Sequence, residues 1–134
     1  MITFETKDLP AAMDARAPDG SEVRVLLNIP GRGGMAHFRL HPGQVSKLVT
    51  HRTVEEIWYV VDGRGELWRR LEDKSECVEL KAGRCVAVPL GTHFQFRAAQ
   101  DSGLDIIGVT MPPWPTDREE AVRTTDHWSP NVPD

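Results

Sequence analysis

Glu56 occupies the chemically most demanding setting in the chain. In the run Glu55-Glu-Ile-Trp-Tyr-Val-Val61, period-two spacing puts Glu56, Trp58 and Val60 on one face of a strand, with Ile57, Tyr59 and Val61 on the other. A carboxylate that shares a face with Trp and Val has to be paired or bound to a metal, because an isolated buried charge is costly. His51 lies on the short strand leading into the same hairpin. A His and a Glu brought together on the inside of a sheet make half of a transition-metal site. Farther along, His93, Gln95 and Arg97 alternate with Phe94 and Phe96. That polar face is too rich for an apolar core and too regular for a loop.

The spacing of these residues resembles the two signatures of the cupin superfamily. Gly43-x5-Val49-x-His51-x4-Glu56-x6-Gly63 is similar to the first, G-x5-H-x-H-x(3,4)-E-x6-G. Gly83-x5-Pro89-x-Gly91-x-His93-x3-Arg97 is similar to the second, G-x5-P-x-G-x2-H-x3-N. The resemblance implies an all-β, jelly-roll barrel and a metal held by His51, Glu56 and His93. The metal would be a divalent transition ion: Fe, Mn, Ni or Zn, since two imidazoles and a carboxylate do not choose among them. Three positions depart from the pattern. Val49 stands where the first His belongs, His93 follows Gly91 one residue early, and Arg97 replaces the Asn.

Charge at this site points to an anionic ligand. A divalent ion with neutral His51 and His93 and ionised Glu56 leaves a net positive centre, and Arg97 adds to it. Arg97 suits a bidentate grip on a carboxylate or phosphate. Lys47, in step with Val49 and His51, would extend the positive lining, while Gln95 and Trp58 would touch the body of the ligand. Trp58 equally fits plain core packing. His37, on the strand Met35–Leu40 with Ala36, Phe38 and Leu40 opposite, is a candidate replacement ligand or simply a hydrogen-bonded sheet residue.

Two functions follow. One is a metal-assisted enzyme acting on a small oxygen-rich anion, a lyase, isomerase or dioxygenase of the cupin kind. The other is a small-molecule binding or sensing barrel, with or without metal, in which Arg97 holds the anion; in a barrel that has lost its metal, His51, Glu56 and His93 would instead form a hydrogen-bonded trio, with Glu56 paired to Arg97. No inward acid other than Glu56 stands out as a general base. The lack of a G-x-S-x-G elbow and of any Cys beside a His argues against a nucleophilic hydrolase.

At 134 residues the chain is one domain with one core. Forty per cent apolar and 27% charged residues fit a soluble globule, expected to be cytoplasmic. A net charge of −4 without a basic run argues against nucleic-acid binding, and no apolar run reaches membrane-spanning length. Cys77 and Cys85 are read as apolar filler on neighbouring strands.

About ten short strands with regular turns imply a β-sandwich or barrel; the resemblance makes it a barrel with its core over about residues 22–111. Residues 2–5 alternate as an edge strand, and 8–21 read as loop. Gly63-Arg-Gly65 reads as a tight turn, with Glu66–Leu71 returning as a separate strand. Residues 112–134 hold Trp114 and Trp128 and half the prolines, implying an ordered strap outside the barrel or over its mouth. Within it, Arg118–Arg123 has a helical pattern. The resemblance also implies a homodimer, with the N-terminal strand adding to a partner's sheet edge.

Overall fold

The structure is a computed structural model that describes residues 4–133. It consists of ten strands: β1 (Ala15–Arg16), β2 (Glu22–Ile29), β3 (Gly33–Leu40), β4 (Val49–His51), β5 (Glu55–Leu71), β6 (Lys74–Lys81), β7 (Cys85–Val88), β8 (His93–Ala98), β9 (Leu104–Met111) and β10 (Ala121–Arg123). All strand pairs are antiparallel. One sheet runs β1-β2-β3-β9-β5-β7; the other runs β6-β5-β8-β4-β10. This is an all-β, curled arrangement, as the turn spacing implies, in the jelly-roll form that the resemblance implies.

Strand β5 belongs to both sheets. Its first half, Glu55–Gly63, pairs with β9, and Gly65–Arg70 pairs with β8. The expected reversal at Gly63-Arg-Gly65 does not occur; the strand bends there and continues. A Cβ on Gly63 would stand 1.8 Å from the Gly103 carbonyl oxygen, and one on Gly65 2.1 Å from that of Arg97. Gly63 also has φ 89°, a conformation that only glycine adopts without strain. The two glycines therefore serve close backbone approach at a barrel corner, a role that in sequence looks like a turn.

The core lies between the sheets. Trp58 and Val60 from β5, Leu40 from β3, Phe94 and Phe96 from β8 and Ile106 from β9 are at most 2% exposed. Ring contacts join Trp58 to Phe94 at 5.6 Å and to Phe96 at 5.0 Å between centroids. On β3 the facing is as the alternation implies, with Phe38 and Leu40 inward. His37 points out, bonded to Asp105 at 2.8 Å beside Arg39 at 2.7 Å, and is no replacement ligand.

The strap differs from its sequence pattern in one respect. Arg118–Arg123 is not a helix: Ala121–Arg123 is β10, which pairs with the edge of β4 through Ala121↔His51 and Arg123↔Val49. Six residues are too few to nucleate a stable helix, whereas the edge of β4 offers unpaired backbone groups. Glu120 fixes the junction by accepting Thr53 N at 2.6 Å, Thr53 Oγ1 at 2.7 Å and Val54 N at 2.9 Å.

The proposed edge strand 2–5 lies partly outside the described residues; Phe4 and Glu5 are in no strand, and Phe4 is fully exposed. Cys77 sits opposite Trp68 and Cys85 opposite Tyr59, nine positions apart along β5, so the two thiols are remote from one another. No helix among the described residues is long and apolar enough to cross a membrane.

Candidate functional site

A cavity of about 290 Å³ opens between the two sheets beneath the strap. Val49 and His51 line it from β4, Glu56 and Trp58 from β5, Phe38 from β3 and Trp114 from the strap. Glu56 and Trp58 face it for the reason read from the sequence, the period-two alternation of β5. Trp114 stands over His51, ring centroids 5.0 Å apart and nearly perpendicular, and Phe94 meets the same imidazole at 5.2 Å.

His51 and Glu56 are the pair that the structure brings together. Nδ1 of His51 lies 3.5 Å from Oε2 of Glu56, and Oε1 of Glu56 has no hydrogen-bond partner among the described residues. The Trp58 indole nitrogen acts on the Glu56 carboxyl without reaching hydrogen-bond geometry. Burial pushes the Glu56 carboxyl up to about 8; Trp58 draws it down and the neighbouring Asp19 pushes it further up. Burial pulls the His51 imidazole down to about 4, against the pull of Glu120 and a backbone hydrogen bond at Val54. Near neutral pH both groups are therefore uncharged.

His93 does not join them. On β8 it is Phe94 and Phe96 that enter the interior, while His93, Gln95 and Arg97 face outward under the strap. Nδ1 of His93 lies 3.3 Å from Thr124 Oγ1. The physical reason is the early arrival of His93 after Gly91. Shifting a strand by one residue sends every side chain to the opposite face, so the inward position that the second signature reserves for His holds Phe94.

Gln95 and Arg97 form a latch for the strap in place of a ligand contact. Gln95, fully buried, donates through Nε2 to the carbonyls of Ser46 at 2.7 Å and Trp128 at 2.9 Å. Its Oε1 accepts from the backbone N–H groups of His127 at 3.0 Å and Trp128 at 2.8 Å. Arg97 binds Glu66 Oε1 through Nε and a terminal nitrogen, at 3.0 and 2.6 Å, and its guanidinium lies 4.0 Å from the Trp128 ring. It borders an outer recess with Gly43, Arg64 and Gln100, not the barrel interior. Lys47 does not line the cavity either; its charge acts on Asp19 and Asp126. Trp58 alone of the four expected ligand contacts reaches the interior, where it also packs in the core.

Asp19 and Glu120, the latter acting on His51 through its charge, escaped the sequence reading; Trp114, expected only within the strap, lines the cavity. Asp19 lies just before β2 in a stretch read as loop, yet it lines the cavity, 8% exposed, with its carboxylate accepting from Ser21 N at 2.9 Å and Ser21 Oγ at 2.7 Å. Burial raises its pKa; Ser21 and Lys47 pull the other way. Nothing local in the loop-like stretch 8–21 shows that Asp19 folds inward.

These residues do not fit a bound transition metal. Such ions take four or more donors, and two of the four positions that would supply them hold Val49 and Phe94, 2% and 1% exposed and packed in the core. Among the described residues no three His, Cys, Asp or Glu converge on a point.

Comparison with known proteins places this architecture. A family model described as Cupin domain matches residues 36–110, more than half of the chain. The capsular polysaccharide assembling protein CapF of Staphylococcus aureus superposes with a TM-score of 0.71 at 19% identity, over 85% of this chain and 34% of CapF. An oxalate decarboxylase structure does so with a TM-score of 0.65 at 17% identity, over 80% of this chain and 29% of that one. Hazelnut (Corylus avellana) vicilin gives 0.64 at 20% identity, over 75% of this chain and 30% of its own. The chain thus spans about a third of the length of these structures, and at such identities the likeness is one of fold. No curated protein matches the sequence.

Proposed function

The chain belongs to the cupin family, and within it we propose a barrel that binds a small, largely apolar molecule in its interior without a metal. The observation that carries this reading is the cavity itself. It is walled by Val49, Phe38, Trp58 and Trp114, and its polar end is the buried His51–Glu56 pair. At about 290 Å³ it stands at the small end of ligand pockets, which run from about 300 to 1,000 Å³. Neutral His51 offers an acceptor nitrogen and protonated Glu56 a donor, so the ligand carries a hydrogen-bonding group at one end of an apolar body. The metal-assisted reactions of the family would need donors that Val49, Phe94 and the outward His93 do not supply. An anion gripped by Arg97 would have to bind outside the barrel, where Glu66 already occupies the guanidinium.

The test has two arms. Untagged protein purified without chelator should hold no stoichiometric Fe, Mn, Ni or Zn. The neutral probe 2-naphthol should quench tryptophan fluorescence saturably, with the same curve before and after chelator. Ala36→Phe, which fills the cavity from β3, should weaken that binding. One equivalent of metal lost in both His51→Ala and Glu56→Gln would overturn the proposal, as would a failure of the probe to saturate.

A further inference from the structure

The cavity pairs an aromatic lining with two acids, Asp19 and Glu56, against one arginine, Arg16. Glu56 is 4% exposed and lines it with one carboxyl oxygen unpartnered. Asp19 lines it too, and the basic side chain in the same wall is Arg16 on β1, which donates to the Gly20 carbonyl at 3.2 Å. Among the described residues no Lys or Arg pairs with Glu56; its charged-group neighbour is His51. Trp58, Trp114 and Phe38 complete the surroundings.

Resting on the ligand-site reading above, we infer that the cavity's occupant is an aromatic or aliphatic amine, held as its ammonium between the Glu56 carboxylate and the rings of Trp58 and Trp114. The argument is one of compensation. A buried carboxylate is tolerated when an opposite charge and hydrogen bonds accompany it, and the barrel provides Glu56 with no internal cation, so the carboxyl keeps its proton until a cation enters and then releases it to solvent. An ammonium supplies the charge and the donors together, in hydrogen bonds roughly twice as strong as neutral ones. Tryptophan rings attract the same cation through their negative faces. Asp19 adds favourable potential for a cation and disfavours an anion. His51, in its neutral form, is left as an acceptor for a second N–H. A carboxylate ligand would meet two acids, and an alcohol would meet Glu56 as a neutral acid, in a neutral hydrogen bond only.

The test compares three probes of one shape: 2-phenylethylamine, 2-phenylethanol and 3-phenylpropionate, titrated by calorimetry at neutral pH. The amine should bind at least about tenfold more tightly than the alcohol, in line with a charge-assisted over a neutral hydrogen bond. The carboxylate should be the weakest. Glu56→Gln, which keeps the shape and removes the charge, should lower amine affinity by about tenfold and change the alcohol by less than about threefold. Glu56→Asp should recover part of the amine preference. Equal binding of amine and alcohol, or amine binding indifferent to Glu56→Gln, would overturn the ammonium assignment while 2-naphthol binding still upheld the cavity as a ligand site. Tighter binding of the carboxylate would overturn it as well. Loss of 2-naphthol saturation along with all three probes would remove the ligand site itself.

Discussion

Nδ1 of His51 stands 3.5 Å from Oε2 of Glu56, with both residues at least nine-tenths buried and both uncharged near neutral pH. The two shifts run in opposite directions, so they leave opposite marks on stability. Glu56 keeps its proton in the folded state up to about 8, whereas the unfolded chain releases it near 4.5. Stability therefore falls as pH rises through that interval. His51 stays neutral in the fold down to about 4 while the unfolded chain takes up a proton below 6.5, so stability falls as pH drops from 6.5 to 4.

Between pH 4.5 and 6.5 the two slopes oppose one another. From 6.5 to 8 Glu56 acts with no counterpart in His51, and its slope approaches about 1.4 kcal/mol per pH unit. Denaturant titrations should show stability declining over that window, and Glu56→Gln should remove most of the decline. Asp19, raised by burial in the same sense, remains in the variant. A parent profile that is flat from 6.5 to 8 would show that Glu56 ionises normally in the fold.

Gln95 is the buried amide that fastens the His127–Trp128 part of the strap. Gln95 makes four hydrogen bonds, three of which go to the His127–Trp128 segment. Gln95→Leu preserves volume and leaves the two N–H groups of His127 and Trp128 and two carbonyls without their partner. The expected cost is about 3 kcal/mol, given about 1–3 kcal/mol for a buried polar group left unpaired and partial relief by water at the released strap. Trp128 should become accessible to iodide quenching, and proteolysis should begin within residues 124–133. The cavity, on the other face of β8, should bind 2-naphthol with little change.

Glu120 plays the corresponding part at the other end of the strap. It is 2% exposed and accepts three hydrogen bonds from Thr53 and Val54. Burial raises its pKa, but those hydrogen bonds and His51 outweigh it and hold the carboxyl below its usual value. Glu120→Ala strands two backbone N–H groups and should cost about 2–4 kcal/mol. Because Trp114 enters the strap six residues earlier, its emission should shift to the red, and 2-naphthol affinity should fall with it. Stability unchanged in Glu120→Ala would show that the β4–β5 corner is held elsewhere.

The outline of the fold was legible because alternation is a local property. Glu56, Trp58 and Val60 point inward as their spacing implies, and Phe38 and Leu40 do so on β3. What stayed hidden depends on geometry that no short window carries. Gly63 and Gly65 mark a bend because the Gly103 and Arg97 carbonyls approach them from distant strands. The facing of β8 depends on where the strand begins after the Pro89–Thr92 turn, closed by Thr92 N to the Pro89 carbonyl at 3.0 Å. A polar stripe of His93, Gln95 and Arg97 looks like a site lining in sequence; it is the underside of a strap that it meets 31 to 33 positions later.

That register makes the last prediction. If Phe94 occupies the inward position of the second signature and Val49 that of the first, then Val49→His with Phe94→His should restore four donors, three imidazoles and the Glu56 carboxylate, around one point. The positions converge because Val49 pairs with Phe94 across β4 and β8, and His51 meets the Phe94 ring at 5.2 Å. The double variant should take up one equivalent of Zn, Ni or Mn, displaced by chelator, where the parent takes up none. Losing Phe94 from the core should cost about 3–5 kcal/mol in the metal-free form, and saturating metal should recover part of it, since an ion that binds only the folded chain stabilises it. His93→Ala, made in the same background, should leave metal uptake unchanged. Dependence of uptake on His93 would place that imidazole inside the barrel and reverse the register assigned to β8.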